Sequence, residues 1–345
     1  MPIVQHEVLR KLSYEVFNAT GIPEGDARIV SDHLVTSNLV GHDTHGVWYV
    51  ARYARAMMKR QVTWEDREVL RESPILQVFD GHGADGIVTL TKAVDIAVEK
   101  ARQSSIGFVG VRNVTHMGRL GDYPPRIAQH GMVGMIWTNS GGLAVGPFGS
   151  AERKLRLAPV AYAVPRRDGP PLMLDMTLSV VAGGKVEQKI VRDEPIPEGW
   201  LIDDEGKYVT DGDRYHDSEA AILPLGGLQF GHKGHGMGMM MEMIVGPLTQ
   251  AGCTDGDKGG GGIMIIAIDI ESFTDLDTYK DEVENFVAWV RSAKRLPGVD
   301  NIYAPGEIEE DTRRRRLAQG INVPEPTWAE IVEIAEELGV PMPTL

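Results

Sequence analysis

The chain has 345 residues, 42% of them apolar, carries a net charge of −14 and holds one cysteine, Cys253. That length and apolar content suit a large buried core in two or three lobes, while the acidity disfavours phosphate backbones and anionic membrane surfaces as partners. A single cysteine excludes an internal disulfide and a cysteine metal cage; with no apolar run near the roughly 20 residues of a membrane span and no secretory core in residues 1–18, a cytoplasmic setting is expected.

Taken in chain order, residues 4–19 and 23–38 read as amphipathic helices divided by Thr20-Gly21-Ile22-Pro23, with Pro23 suited to a first helical turn. Residues 47–59 continue a helical lobe and place Tyr49 and Tyr53 four apart, on one face, where both rings can line a cleft. An α/β alternation follows: strand 75–79, helix 86–102, strand 107–112, helix 121–130 and strand 133–138. From Gly141 onward short strands punctuated by glycine and proline, including 160–164 and 172–176, run to a helix around 235–248. A flexible turn at 256–262, a strong strand at 263–270, a helix over 275–292, a solvated basic face at Arg313 to Arg316 and a last helix at 327–338 complete the chain. The class is α/β, divided into a helical N-terminal lobe (1–70), an α/β segment (71–140), a sheet-rich region (141–305) and a helical segment (306–345) that returns to the first lobe.

His116 is the most informative residue. It follows the apolar run 106–111 and precedes a predicted helix, which brings a titratable ring to an element edge that a substrate can reach. Taken alone, a histidine satisfied by neighbouring backbone groups fits as well. Gly81-His82-Gly83-Ala84-Asp85-Gly86 matches the G-x-G-x-x-G dinucleotide pattern, yet the next strand ends in Val111-Arg112-Asn113 without the carboxylate that should bind the ribose. These glycines are therefore read as a tight turn. His42 with His45, and His232 with His235, have spacings that can bring imidazoles together, so a four-histidine metal-dependent hydrolase is an alternative. No HExxH-type base accompanies either pair, and no metal is assigned. Lys233, between Gly231-His232 and Gly234, suits a donor to a carboxylate or phosphate, with a solvated loop lysine as the equal alternative.

Six segments in order then make the chain resemble, over nearly its whole length, the malate/L-lactate dehydrogenase family of the second, non-Rossmann type. They are Thr44-His45-Gly46-Val47 with Tyr53; residues 113–118 around His116; residues 131–140 ending Thr138-Asn139-Ser140; Asp175-Met176-Thr177-Leu178-Ser179 with Ala182 and Gly183-Gly184-Lys185; Leu223-Pro224-Leu225-Gly226-Gly227 through His232-Lys233-Gly234; and Pro305-Gly306-Glu307. The resemblance implies an oxidoreductase dependent on NAD or NADP, usually a homodimer, acting on a small-molecule carbonyl or hydroxyl, or imine or amine. It also implies a family-specific non-Rossmann fold, with a mixed sheet and a helical lobe formed by both chain ends. By the same resemblance His116 acts as acid/base with His45, Thr44, Tyr49 and Tyr53 around the substrate. Asn139, Ser140, Asp175, Met176, Thr177, Ser179, His232, Lys233, Gly306 and Glu307 are then the coenzyme contacts. The chemistry agrees, because hydride arriving at a carbonyl leaves an alkoxide that an imidazole can protonate. A catalytically silent relative that only binds a cofactor is a further alternative.

Departures from the family pattern bear on the substrate. Where the family carries an arginine four residues past the first histidine, suited to a bidentate grip on a carboxylate, this chain has Tyr49. The family's Gly-Thr-Asn-Pro is Arg156-Leu157-Ala158-Pro159, its tyrosine after Lys233-Gly234 is His235, and Ile308 follows Gly306-Glu307. A substrate bulkier than a simple 2-hydroxy acid, or one lacking the carboxylate, is expected, with Arg119, one helical turn past His116, as a substitute anchor. A 2′-phosphate of NADP would need a cation, for which Arg166, Arg167, Lys185 and Lys189 are candidates.

Overall fold

The computed structural model describes residues 2–59, 62–256 and 258–343. In chain order its strands are β1 (Ile3–Val4), β2 (Glu68–Glu72), β3 (Leu76–Ala84), β4 (Ile106–Val114), β5 (Met132–Thr138), β6 (Leu143–Val145), β7 (Leu155–Arg156), β8 (Val160–Val164), β9 (Leu172–Met176), β10 (Leu201–Ile202), β11 (Tyr208–Val209), β12 (Ala221–Ile222), β13 (Ile263–Asp269) and β14 (Ile321–Asn322). Its helices are α1 (His6–Ala19), α2 (Glu24–Leu39), α3 (Val50–Lys59), α4 (Gly86–Ser104), α5 (Pro124–Ala128), α6 (Gly183–Val191), α7 (Gly212–His216), α8 (Gly227–Phe230), α9 (His232–Leu248), α10 (Leu276–Arg291), α11 (Glu307–Gln319) and α12 (Glu325–Glu337).

The large sheet runs β2-β3-β4-β13-β5-β8-β9, and a smaller one runs β11-β10-β12-β6-β7. β13 pairs antiparallel with both β4 and β5 and is covered on both faces, which is why Ile263 to Ala267 is continuously apolar rather than alternating. Within the large sheet only β3 and β4 pair in parallel, and α4 is their crossover. The G-x-G-x-x-G residues, expected as a tight turn, are the bulged end of β3 and the start of α4 in a single βαβ unit inside an otherwise antiparallel sheet, not one half of a doubly wound domain.

Side-chain periodicity builds the helical lobe. α1 buries Leu9, Leu12, Val16 and Phe17, and α4 buries Ile87, Leu90, Val94, Ala97, Val98 and Ala101, in both cases at helical spacing. Each large apolar side chain so buried contributes about 1.5–3 kcal/mol. Asp85 caps α4 by accepting from the Val88 amide at 3.0 Å. The other end of the chain closes this lobe, since β1 pairs with β14 and Arg55 on α3 lies 2.9 Å from Glu333 on α12. Further apolar clusters lie around the small sheet and between α9 and the large sheet.

Several expectations need correction. The helix predicted over 121–130 is a 3-10 turn, Leu120–Asp122, followed by the short α5, because Pro124 and Pro125 remove two amides and restrict Tyr123. Residues 183–191, expected as sheet and loop, form α6, whose two leading glycines have weak helix propensity. β2 is an edge strand with charged, exposed residues and lacks the apolar signature of a strand. Arg316 does not face solvent like its neighbours: it donates to the Asn38 carbonyl and pairs with Asp43 at 2.6 and 3.0 Å. Asp257, within the turn expected at 256–262, lies outside the described residues. Among the described residues no helix is long and apolar enough to cross a membrane.

Candidate active site

His116 is placed by a loop that cannot move far. β4 ends at Val114, and the chain then passes the first residue of α4, where the Gly86 amide donates to Thr115 Oγ1 at 3.0 Å. A Cβ on Gly86 would stand 2.3 Å from the Thr115 carbonyl oxygen, so only glycine lets the helix begin against this loop. Gly118 has φ +67°, and a Cβ there would stand 2.1 Å from Nε2 of the buried His33. That nitrogen accepts from the Arg119 amide at 2.9 Å, and the other ring nitrogen lies 3.3 Å from Asp122. Burial alone would raise the Asp122 carboxyl, but His33, Arg126 and Arg119 around it hold it far below the usual carboxylate range.

Around this loop the side chains of the η1 turn (Asp43–His45) and of α3 form an aromatic cluster. The His116 ring stacks on Tyr49 at 5.0 Å between centroids and on His45 at 5.7 Å, while Tyr49 stacks on Tyr53 at 4.9 Å. The Tyr53 hydroxyl lies 2.5 Å from His116 Nδ1, and the Gly118 amide donates weakly to the same nitrogen at 3.3 Å. Nε2 is therefore the nitrogen left for a ligand. Thr44 Oγ1 lies 2.9 Å from His45 Nδ1. Crowding desolvates both imidazoles: His45 is pushed down to about 3 by burial and then by His116 and His42, and His116 to about 4 by burial and then by His33 and Arg52. Both rings are neutral at pH 7, and burial raises the Tyr53 phenol further from ionisation.

The cluster opens into a cavity of about 570 Å³, inside the ~300–1,000 Å³ range of small-molecule sites. Of the residues singled out from the sequence, Thr44, His45, Tyr49, His116, Ser140, Asp175, Met176, Thr177 and Ser179 line it. Asp175 accepts from the Gly121 amide at 2.7 Å, and burial raises its carboxyl against the pull of Arg119. Ser140 Oγ is buried without a partner. The first turn of α6, Gly183-Gly184-Lys185, forms part of the wall; the Lys185 amide donates to the Ala182 carbonyl at 3.0 Å, and a Cβ on Gly184 would stand 3.3 Å from Thr44. Sequence reasoning named Lys185 as a candidate for a 2′-phosphate and the glycine pair as part of a family segment, but not the helix that carries them. Its signal was Val186 and Ile190, four apart, directly after the glycine pair.

Other expected contacts lie elsewhere. Tyr53 stands behind His116 and not on this wall. Asn139 is buried as a bracket: its amide donates to Glu242 and the Gly252 carbonyl, each at 3.0 Å, and accepts from the Gly262 amide at 2.8 Å, which leaves nothing for a coenzyme. His232 and Lys233 are exposed at the start of α9, packed edge-on to Phe148 and over Phe230. Gly306 and Glu307 line a separate cavity of about 190 Å³, where Glu307 pairs with Arg291 and Arg166. Arg119 is not on a helix with His116 but does line the same cavity; its guanidinium is buried, Nη2 lies 3.6 Å from Asp122, and Nε and Nη1 have no hydrogen-bond partner. The four-histidine metal alternative does not assemble. His42 pairs with Glu309 and His235 accepts from the Phe148 amide, and among the described residues no group of three or more His, Cys, Asp or Glu is placed to hold a metal ion.

A family model described as malate/L-lactate dehydrogenase matches residues 4–332. The chain is 35% identical over 335 residues to a malate dehydrogenase of Pyrococcus abyssi, covering 94% of this chain and 92% of that one. It is 30% identical over 346 residues to an L-sulfolactate dehydrogenase of Methanocaldococcus jannaschii, covering 98% of each. Its fold matches the crystal structure of malate dehydrogenase from Entamoeba histolytica with a TM-score of 0.92 at 29% identity, over 99% of both chains.

Proposed function

The chain belongs to the malate/L-lactate dehydrogenase family and is an oxidoreductase, and from this we propose that it moves a hydride between a nicotinamide coenzyme, NAD or NADP, and a carbonyl or hydroxyl, or imine or amine, of a small molecule. The observation that carries this reading is that one cavity joins the His116 and His45 rings to the orphaned Ser140 hydroxyl and the Gly183-Gly184 start of α6. Those groups suit the polar parts of a nicotinamide dinucleotide, with the positive end of α6 favouring anionic groups.

When bound, the coenzyme supplies or takes the hydride. The protein's own residues manage the proton. Tyr53 can donate to His116 Nδ1 or accept from it, so the ring is held in place in either tautomer. Protonated on both nitrogens, the ring donates from Nε2 to a carbonyl oxygen and gives up that proton as negative charge develops, returning to its neutral form; neutral with the proton on Nδ1, it offers Nε2 as a free base for a hydroxyl. The stacked His45 and Tyr49 exclude water from this edge and fix the ring's tilt.

Among the four cations weighed for a 2′-phosphate, Arg166, Arg167 and Lys189 are engaged with Glu284, Asp281 and Glu194, whereas Lys185 lines the cavity. Lys185 is the residue through which NADP would be accepted. The apolar exposed face of α9 supports a homodimer in a cytoplasmic setting.

Quenching of tryptophan fluorescence by NADH or NADPH, followed by a screen of ketones, imines and 2-oxo acids with both, tests the reading. Coenzyme binding with turnover is the expected result, and turnover is lost in His116→Ala while binding is kept. Malate and lactate are expected to be poor substrates because Tyr49 cannot replace a charged carboxylate anchor, a difference of about 1.5–3 kcal/mol or more. Turnover of either at rates matching the best carbonyl compound in the screen overturns that expectation.

A further inference from the structure

His116 lines both the larger cavity and a second one of about 320 Å³, and Tyr53 lines only the second. The Tyr53 hydroxyl lies 2.5 Å from Nδ1, the ring nitrogen turned away from the ligand, and so joins the ring to this rear space. The rear cavity reaches the surface, because Pro23 and Arg52 on its wall are exposed. It suits water, since Asp26, Thr63 and Asp85 line it and its volume is many times the ~30 Å³ that one water takes. Both carboxylates already have partners: Asp26 holds Lys92 at 2.9 Å, and Asp85 accepts from the Val88 amide at 3.0 Å.

During the reaction the ligands occupy the front cavity, and His45 and Tyr49 stack against the His116 ring. A ring that has taken a hydroxyl proton at Nε2 can then lose charge only through Nδ1. It cannot hold that charge for long, because burial, and after it His33 and Arg52, keep His116 at about 4. We propose that Tyr53 is a proton relay through which His116 Nδ1 exchanges a proton with water in the rear cavity while ligands close the front. The relay rests on the acid/base reading of His116. In alcohol oxidation the substrate O–H bond breaks as Nε2 takes the proton and the hydride leaves for the coenzyme. The Nδ1–H bond then breaks as Tyr53 Oη accepts that proton and passes its own to a cavity water, which hands it to a base in solvent. Because the phenol gains one proton as it gives up the other, it stays neutral, as burial and then Tyr49 and Asp85 require of it against the pull of Arg52. The ring is left neutral with its proton on Nε2. Once product has gone, loss from Nε2 to the emptied front cavity and return of a proton from Tyr53 to Nδ1 reset it. Carbonyl reduction runs the same steps backward.

The test is a stopped-flow single turnover with the coenzyme that binds and the alcohol of the carbonyl compound reduced best in the screen. Absorbance follows reduced coenzyme, and phenol red follows the released proton. In the native chain the proton is expected in step with reduced coenzyme, ahead of product release. Tyr53→Phe keeps the ring but blocks the hand-over, so the proton is expected to lag reduced coenzyme by at least about tenfold. Ala56→Leu, on α3 three residues past Tyr53, adds bulk to the rear cavity, keeps both relay side chains and is expected to give the same lag. A readout without turnover comes from the coenzyme-free chain with ¹⁵N-labelled histidine rings. There, exchange of the His116 Nδ1 proton with water is expected to slow by at least about tenfold in Ala56→Leu. Proton and reduced coenzyme still in step in either variant, unchanged Nδ1 exchange, a lag already present in the native chain, or equal slowing of both signals overturns the relay alone. A native chain that forms no reduced coenzyme, or His116→Ala with turnover retained, overturns the relay together with the reading beneath it.

Discussion

The contact between Tyr53 and His116 puts a buried hydroxyl against the nitrogen that faces away from the ligand. Tyr53→Phe keeps the ring's bulk and removes only that bond, so kcat is expected to fall about tenfold, near 1.4 kcal/mol, with coenzyme affinity unchanged. A loss of coenzyme affinity instead would mean that Tyr53 shapes the larger cavity and not the imidazole. Burial also fixes the pH behaviour. Because desolvation disfavours the charged ring and holds His116 at about 4, the neutral base persists far below the ordinary histidine range. In the alcohol-oxidation direction kcat/KM is therefore expected to stay level from pH 8 to 5 and to fall only as pH approaches 4. A histidine at its usual value near 6.5 would already have lost about 97% of its neutral form at pH 5. An acid limb centred near 6.5 contradicts the desolvated site.

At the scale of elements, the site depends on the β4 loop meeting α4 without a side chain between them. Gly86→Ala sets a Cβ against the carbonyls of Thr115 and His116, and neither backbone group is free to yield. The expected cost is about 1–3 kcal/mol of stability with a disproportionate loss of kcat, measured by denaturant unfolding alongside turnover. Unchanged kcat in a destabilised variant would show that the loop relaxes without shifting the ring. Periodicity made α1, α2, α4, β8, β9 and β13 legible, because their apolar faces are packed and the pattern survives in the residues. It failed at β2, where charges carry no such pattern, and at α6, where two leading glycines precede a signal of only Val186 and Ile190. The same limit applies to the site. Asn139 and Ser140 are neighbours in one motif, yet one is a buried bracket and the other opens onto the cavity, a difference set by Glu242, Gly252 and Gly262, more than 100 positions away.

For the molecule as a whole, net charge and surface pull in opposite directions. A charge of −14 keeps copies apart at long range, yet α9 turns Met241 and Val245 inward and leaves Met237, Met240, Met243 and Leu248 exposed on its other side, with Leu228 and Phe230 of α8 beside them. A face of this kind on an acidic chain is stable in water when a second copy covers it, and the symmetric solution is a two-fold pair in which the same helices meet. Sedimentation equilibrium at micromolar concentration is expected to give twice the chain mass of 37.8 kDa. Since like charge opposes the pairing, added salt should tighten it, and replacing Met240 and Met243 together by glutamate should give the monomer without unfolding it, because both side chains already face solvent in the single chain. A native chain that sediments as a monomer at every concentration would leave the methionine face to some other role.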